Sequence, residues 1–265
     1  MGSLPIICAG DVFDDGWRPH RCPPELINFA IKHLPVMYAV PGQHDLPYHS
    51  LTDIRKSAYW TLVEADRIIH IDPNYPCETA GGGMSLRLHG FPWGVAIKPL
   101  KQPHDLVLEI AIVHSYIWSS PKNSYTGAPE EKRAIRYGNA LQGYDAAVFG
   151  DNHCWIYGKV GNTYVLNTGT FFRRKSDERN HAPSVGIIYS DGSFIRHKFD
   201  CSADKFLDSG DVEKRGEARQ YEELIDELCR LSDVAISFTD AVKQIMEKEK
   251  ELPEVRALIM KLIGG

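Results

Sequence analysis

The sequence lacks three features that would each place it in a familiar class of protein. None of its six cysteines forms a Cys-x-x-Cys pair, which argues against a zinc ribbon and against a dense disulfide framework. No apolar run approaches the ~18 residues of a membrane span, and no basic segment precedes the short apolar stretch at the N-terminus. The formal net charge of -5 means that a nucleic-acid partner would need a local basic patch or metal ions. We therefore expect an unexported protein, most simply a cytoplasmic one.

With 265 residues and 43% hydrophobic content, the chain can bury the core of one large domain, with or without an appendage. The first third alternates apolar runs with helical patterns. Strands are predicted at 5–9, 36–40 and 69–71, and helices at 23–34 and 52–65, the second helix capped by Thr52. This βαβ order predicts a parallel sheet.

The middle of the chain consists of short apolar segments separated by turn residues. Strands are predicted at 85–91, 106–113, 146–149, 155–157 and 163–166. Gly161-Asn162 and Asp191-Gly192 are hairpin turns, and the second joins the two strands of a hairpin at 184–199. This part of the sheet should be mixed or antiparallel. The pattern then becomes helical and charged. We predict an α/β domain over residues 1–205 and a helical tail over 206–265, which is either a packed subdomain or a partner-binding arm.

Polar side chains follow four of the predicted strands, where open α/β sheets place their sites. These residues are Asp11, then Gln43 and His44, then His114, and finally Asp151 and His153. Mixed imidazole and oxygen ligands suit divalent cations of the Mn²⁺ or Zn²⁺ kind. Two such ions about 3.5 to 4 Å apart can clamp a phosphoryl group during in-line displacement.

In order and spacing these clusters resemble the motifs of the calcineurin-like phosphoesterases, and among them the SbcD-type DNA nucleases. Residues 10–14 resemble the Gly-Asp-x-x-Asp element, 42–45 the Gly-Asn-His-Asp element and 150–153 the Gly-His-x-His element. His114 resembles the isolated metal-binding histidine, and 167–170 the Asn-Pro-Gly-Ser segment. The resemblance implies a metallophosphoesterase-like sandwich of mixed β-sheets flanked by helices, with the helical tail following it.

The resemblance also implies a role for each matching residue. Asp11 would bridge two metal ions and belong to the catalytic set, and His44 would protonate the leaving oxygen as general acid. Three further residues would complete the shell of one ion, and His153 would bind the other; the three are Gln43, His114 and Asp151. The implied cofactors are divalent metal ions, with Mn²⁺ preferred and Mg²⁺ or Zn²⁺ as alternatives.

Three departures from the family pattern affect the metal site. Gln43 replaces an asparagine and Asp151 replaces a histidine, which shifts the preference towards harder ions. The first family motif, Asp-x-His, is absent, since only nine residues precede Gly10. We therefore expect an incomplete site: the chain starts inside a longer protein, another polypeptide supplies the strand, or one metal or none is used. A missing strand should expose apolar surface and unpaired backbone, so we expect the chain either to form a homodimer or to be unstable.

Several polar residues near these motifs have two interpretations. His49 could contact a phosphate or lie in a surface loop, and so could Arg18 and His20. Arg173 and Arg174 form a basic cluster that could contact a phosphate backbone or be solvated. Asp14 and Asp15 are interpreted as turn carboxylates.

Three functions are compatible with these patterns. The first is a DNA exonuclease or endonuclease resembling SbcD, with an SbcC-like ATPase as a partner bound through the C-terminal helices. The second is a phosphoesterase for nucleotides or other small molecules, which would need a closed pocket. The third is a non-catalytic binding module of the same fold. We rank them in that order.

Overall fold

The structure is a computed structural model that describes residues 4–16, 18, 21–104, 106–173 and 178–206. The chain divides into two compact units, Met1–Cys201 and Ser202–Gly265. Only the first five residues of the second unit are described. The predicted helical tail therefore lies, from residue 207 onward, outside the described residues.

The first part of the chain forms a three-stranded parallel sheet, as the βαβ pattern predicts. Its strands are β1 (Ile7–Cys8), β2 (Met37–Ala39) and β3 (Ile68–His70), in that order. Two helices make the crossovers, α1 (Pro24–His33) and α2 (Ala58–Glu64). Their apolar faces pack with this sheet in one hydrophobic cluster.

The predicted helix over 52–65 with a cap at Thr52 is wrong in its start. Residues Leu51–Lys56 form a 3₁₀ turn, and α2 begins only at Ala58. Ser57 caps it, because its backbone is extended and its Oγ accepts the N–H of Trp60 at 3.3 Å. A serine that satisfies a free N–H of the first turn sets the start of a helix more strongly than apolar spacing does.

The second sheet has six strands and is mixed, as predicted for the middle of the chain. Four central strands run parallel, and antiparallel strands lie at both edges. In spatial order the strands are β4 (Cys77–Gly81), β5 (Met84–Phe91), β6 (Val107–His114), β7 (Ala146–Gly150), β9 (Thr163–Asn167) and β8 (Ile156–Val160).

A separate two-stranded sheet completes the β structure of the described residues. The predicted hairpin at Asp191-Gly192 is confirmed, with β10 (Ser184–Ile188) pairing antiparallel to β11 (Phe194–Lys198). The hairpin between β4 and β5 was not predicted. Pro76 and three consecutive glycines, 81–83, interrupt the apolar alternation that would have indicated it.

The two larger sheets pack face to face over an apolar layer. Val40 and Ile71 from the ends of the three-stranded sheet contact Leu88, Ile110 and Ile112 of the six-stranded one. The outer face of the six-stranded sheet is covered by loops and 3₁₀ turns, whereas α1 and α2 flank the smaller sheet. The predicted α/β sandwich of mixed sheets is thus confirmed. Among the described residues, no helix combines the length and the apolar character needed to cross a membrane.

Candidate functional site

Three loops and the end of one strand meet at one edge of the two sheets. The loop after β1 carries Asp11, and the loop after β2 carries Gln43; β6 ends at His114, and Asp151 follows β7. Ligand atoms of Asp11, His114 and Asp151 all lie within 4.8 Å of one another. The structure therefore brings together, from both sheets, side chains that are far apart in the sequence.

His114 is the buried centre of this group. The residue is 2% exposed, and its Nδ1 contacts the carbonyl oxygen of Ala9. Its Nε2 lies 2.6 Å from Gln43 Oε1 and 3.3 Å from Asp11 Oδ2. Burial alone would lower the pKa of His114, but the Asp11 carboxylate, the Ala9 carbonyl and the charge of Asp151 raise it above its ordinary value. A carbonyl that accepts from Nδ1–H leaves Nε2 as the nitrogen for a metal ion.

Asp11 and Asp151 provide the carboxylates. Asp11 Oδ1 accepts the backbone N–H of His44 at 3.0 Å. Burial would raise the pKa of Asp11, but its interactions with His114 and with that N–H lower it below the ordinary value. Asp151 Oδ1 accepts from Gln43 Nε2 at 2.8 Å. Asp11 and Asp151 have φ angles of 53° and 81°, a strained conformation that is typical of functional sites.

Close packing of backbone around His114 depends on glycine. A Cβ at Gly10 would overlap His114 Nδ1, one at Gly42 would overlap Asp11 Oδ1, and one at Gly150 would overlap the Ala9 carbonyl. Gly10 also has a φ of 96°. These glycines let three loops approach the imidazole more closely than any side chain would allow.

Asp45 links the first two loops and is not a member of the metal-ligand group. It is fully buried, and its carboxylate accepts the N–H groups of Val12 (3.2 Å), Phe13 (3.0 Å) and Gly42 (3.0 Å). Burial raises the pKa of Asp45 to about 6, and these three donors oppose the increase. The spacing between Asp11 and Gln43 thus depends on a residue that sequence analysis did not single out.

The predicted general acid lies at the accessible side of this group. The side chain of His44 is 42% exposed, and its Nδ1 lies 3.7 Å from carboxylate oxygens of both Asp14 and Asp15. Both distances are longer than a hydrogen bond. The ring of His44 nevertheless faces two acidic side chains. His49 lies nearby, with Nδ1 3.1 Å from the Gln43 carbonyl oxygen and its ring against Trp93.

His153 is not part of the group formed by Asp11, His114 and Asp151. Its side chain is 46% exposed, and its Nδ1 lies 2.7 Å from Glu178 Oε1. Sequence analysis missed Glu178, which lies 25 residues further along the chain. No motif surrounds it, so nothing in the sequence links it to His153.

The predicted phosphate contacts are only partly described. Arg173 donates to the carbonyl oxygens of Arg179 and Cys201, each at 3.2 Å. Arg174 and His20 lie outside the described residues. The substrate-binding roles of His49, Arg173 and Arg174 remain predictions.

The residues at the centre fit a divalent cation. Two carboxylates and one imidazole converge, and the amide of Gln43 lies between His114 and Asp151. Mixed oxygen and nitrogen donors of this kind suit Mn²⁺ or Zn²⁺. Binding would require His114 to give up the proton on Nε2.

Comparison with known proteins gives a family and three similar folds. None of the curated proteins compared with the chain matches it in sequence. Among solved structures, the chain is similar to the sulfate thiohydrolase SoxB of Thermus thermophilus in complex with glycerol, with 10% identity and a TM-score of 0.46. That alignment covers 84% of this chain and 43% of SoxB.

Two other solved structures are also similar. An archaeal phosphodiesterase has 13% identity and a TM-score of 0.35, over 74% of this chain and 83% of that one. A protein described as a 5′-nucleotidase of Staphylococcus aureus, in complex with alpha-ketoglutarate, has 14% identity and a TM-score of 0.37. This last alignment covers 77% of this chain and 44% of the other. The chain thus spans less than half the length of two of these proteins, and none of the three indicates its substrate.

The family comparison is more decisive. The sequence pattern described as calcineurin-like phosphoesterase matches residues 5–155, which is more than half of the chain and includes all the residues of the metal-ligand group. The chain belongs to the calcineurin-like phosphoesterase family.

Proposed function

We propose that this chain is a metal-dependent phosphodiester hydrolase that acts on DNA. The observation that supports it is the convergence of Asp11, His114 and Asp151 within 4.8 Å, next to the accessible imidazole of His44. A divalent cation at this position would supply Lewis-acid activation of the phosphoryl group. Gln43 would add its amide oxygen to the ligand set.

In hydrolysis a water oxygen would bond to the phosphorus as the bond to the leaving oxygen breaks, and the protein side chains would assist this exchange. His44 would donate a proton to the leaving oxygen, and Asp14 and Asp15 would hold its ring through Nδ1. The backbone N–H of His44 donates to Asp11 Oδ1. The loop after β2 would therefore position both the general acid, His44, and the metal ligand, Asp11. His49, held by the Gln43 carbonyl and Trp93, would contact a non-reacting phosphate oxygen.

The choice of DNA rests on the sequence resemblance to SbcD-type nucleases. The string Ala9–Asp14 and the segment after Asn167, which contains Arg173 and Arg174, carry that resemblance. Mn²⁺ is our first choice of metal because Asp151 puts oxygen where the family has imidazole.

A nucleotide or other small phosphoester is the second candidate, and a specific cavity favours it. A cleft of about 400 Å³ borders His114 and Ser115, with Val95, Ile97 and Tyr137 among its walls. Lys132 lines it too and donates to Ser115 Oγ at 3.1 Å. Concave apolar sites with one cation are typical of small-ligand pockets. A non-catalytic binding module is the third candidate.

We also propose a cytoplasmic location and an SbcC-like ATPase as partner. Among the described cysteines, Cys8, Cys22, Cys77 and Cys201 are thiols without a disulfide, which supports a reducing compartment. The partner would bind the C-terminal segment, which lies outside the described residues. A homodimer remains part of the proposal.

Mn²⁺ titration by calorimetry tests the metal site. We expect Asp11→Ala to abolish binding, because the carboxylate between His114 and the His44 loop is lost. His44→Ala should bind Mn²⁺ normally but hydrolyse substrate roughly 10²- to 10⁴-fold more slowly. Asp53→Ala and His33→Ala, which alter a surface ion pair and a helix-surface ring contact, are the matched controls.

Parallel assays on linear DNA and on a nucleoside monophosphate separate the candidates. Preferential cleavage of DNA that is lost in both site variants supports the nuclease. Preferential turnover of the mononucleotide supports the small-molecule esterase. Mn²⁺ binding without turnover of either substrate identifies the binding module, and absence of Mn²⁺ binding to the unmodified chain refutes the metal site.

A further inference from the structure

The loop that follows β9 holds His153 through side-chain and backbone contacts. Thr170 N–H donates to the His153 carbonyl oxygen at 3.2 Å, and His181 Nε2 donates to the Thr170 carbonyl at 2.8 Å. His181 N–H donates to the Glu178 carbonyl at 2.9 Å. Glu178 Oε1 then closes the ring of contacts on His153 Nδ1 at 2.7 Å. These contacts form a closed ring of hydrogen bonds between His153 and three residues of the loop after β9: Thr170, Glu178 and His181.

Glu178 is suited to hold an imidazole because it cannot turn towards solvent. It is 7% exposed, while the imidazole it contacts is 46% exposed. Gly169 allows the loop after β9 to pack closely against His153, because a Cβ at this position would overlap the His153 carbonyl oxygen and the ring of His181. A buried carboxylate facing one nitrogen of an accessible imidazole determines which nitrogen carries the proton and which way the other nitrogen points.

We propose that Glu178 is the positioning residue for His153. Its carboxylate accepts a hydrogen bond from Nδ1 at 2.7 Å, which directs Nε2 away from Glu178 and leaves it available to a divalent cation. The proposal rests on the proposed metal-dependent function and adds to it a residue outside the family motifs. It also accounts for how a half-exposed histidine, in a loop rather than on a strand, can have a fixed orientation.

The arrangement parallels that of His114, where a backbone carbonyl takes the place of the carboxylate. Partners of this kind fix the tautomer and raise the basicity of a ligand, and their loss typically lowers metal affinity 10- to 100-fold. We therefore expect the loss of Glu178 to lower metal affinity, although Glu178 is not itself a ligand.

The first measurement needs no metal. Long-range ¹⁵N–¹H spectra of the ring report the tautomer of His153, and His153→Gln assigns its signals. We expect the Nδ1–H tautomer in the unmodified chain and in Glu178→Gln, which keeps an acceptor oxygen. Glu178→Ala should shift the ring towards Nε2–H, the form that an unconstrained neutral imidazole prefers. An unchanged tautomer in Glu178→Ala would overturn the proposal.

The second measurement is Mn²⁺ titration of the same variants. We expect Glu178→Ala to weaken binding at the site served by His153 by 10- to 100-fold, and Glu178→Gln to recover part of that loss. Glu78→Gln, which removes an exposed carboxylate paired with Arg87, controls for the change in net charge. Circular dichroism confirms that each variant is folded.

The two measurements separate failure of this inference from failure of the proposed function. If the unmodified chain binds no Mn²⁺ and cleaves no phosphoester, the metal-dependent function is refuted, and the tautomer still decides whether Glu178 positions His153. If the unmodified chain binds Mn²⁺ and Glu178→Ala binds it equally well, Glu178 only stabilises the loop and the inference is refuted.

Discussion

The two histidine regions of this protein are constructed in different ways. His114 ends a central strand, is buried, and is enclosed by loop backbone that only glycine permits. His153 lies in a loop, is half-exposed, and is held by one carboxylate and a few hydrogen bonds. Geometry around His114 is therefore part of the core, whereas geometry around His153 depends on local contacts. Substitutions should be severe in the first region and graded in the second.

The largest effect is expected from Gly10→Ala. The added Cβ would overlap His114 Nδ1, and a φ of 96° is unfavourable for alanine. We expect a loss of at least about 2 kcal/mol in the free energy of unfolding and loss of Mn²⁺ binding. Gly158→Ala is the matched control, because an added Cβ there has no neighbour within 4 Å. Denaturant unfolding measures both, and equal stability of the two variants would contradict the importance of close packing.

Asp45→Asn tests the link between the first two loops. An amide offers one acceptor oxygen to three N–H donors, so we expect a loss of roughly 2–3 kcal/mol at pH 7. The pH dependence should also change. The pKa of Asp45 in the folded protein, about 6, lies above the ordinary aspartate value of 3.8, so protonation of Asp45 stabilises the native state below pH 4. That contribution is lost as the pH rises through 6.

Unfolding measured between pH 4 and 7 checks this pH dependence. In a plot of the free energy of unfolding against pH, the Asp45→Asn variant should lack the part of the slope that Asp45 contributes. Asp191→Asn, at an exposed turn of the β10–β11 hairpin, should leave the slope between pH 4 and 7 intact. If the Asp45→Asn variant and the unmodified chain have the same slope, burial does not raise the pKa of Asp45.

Mn²⁺ affinity should depend on pH through His114. Its pKa is raised, and a cation must displace the proton from Nε2. Affinity should therefore fall by about tenfold for each pH unit below that pKa and level off above it. Calorimetry in buffers of different ionisation enthalpy measures the released proton. Affinity that does not change with pH would show that another group binds the metal.

The smallest effect is expected from His181→Ala in the second region. Loss of the hydrogen bond to the Thr170 carbonyl should cost about 1 kcal/mol and leave the His114 group intact. Amide hydrogen exchange at Thr170 should accelerate, because its N–H bond to the His153 carbonyl opens more often. Exchange at Val12 and Phe13 serves as the internal control. Acceleration at all three amides would mean that the two regions are not independent.

Much of the fold was predictable because strand periodicity and turn chemistry are local. The β8–β9 and β10–β11 hairpins follow from Gly161-Asn162 and Asp191-Gly192, and the polar residues after β1, β2, β6 and β7 indicated the site. The start of α2 was wrong because two residues could cap it. The strand β4 was missed because Pro76 and three glycines obscure its pattern.

The parts of the site that were missed depend on contacts between distant residues. Asp45 was expected only as a member of the Gly-Gln-His-Asp element, and its three backbone donors come from two loops. Glu178 has no motif around it. The glycines near His114 are visible in the sequence, but what they allow to approach is known only from the packed structure.

The position of the metal-ligand group between the two sheets has a thermodynamic consequence. Asp11 and Gln43 extend from the smaller sheet, and His114 and Asp151 extend from the larger one. A cation held by all four would cross-link the halves of the sandwich in the native state only. By mass action, free ion at 100 times its dissociation constant adds about 2.7 kcal/mol to the free energy of unfolding. The concentration of free metal ion would then set the stability of the folded protein as well as its catalytic rate.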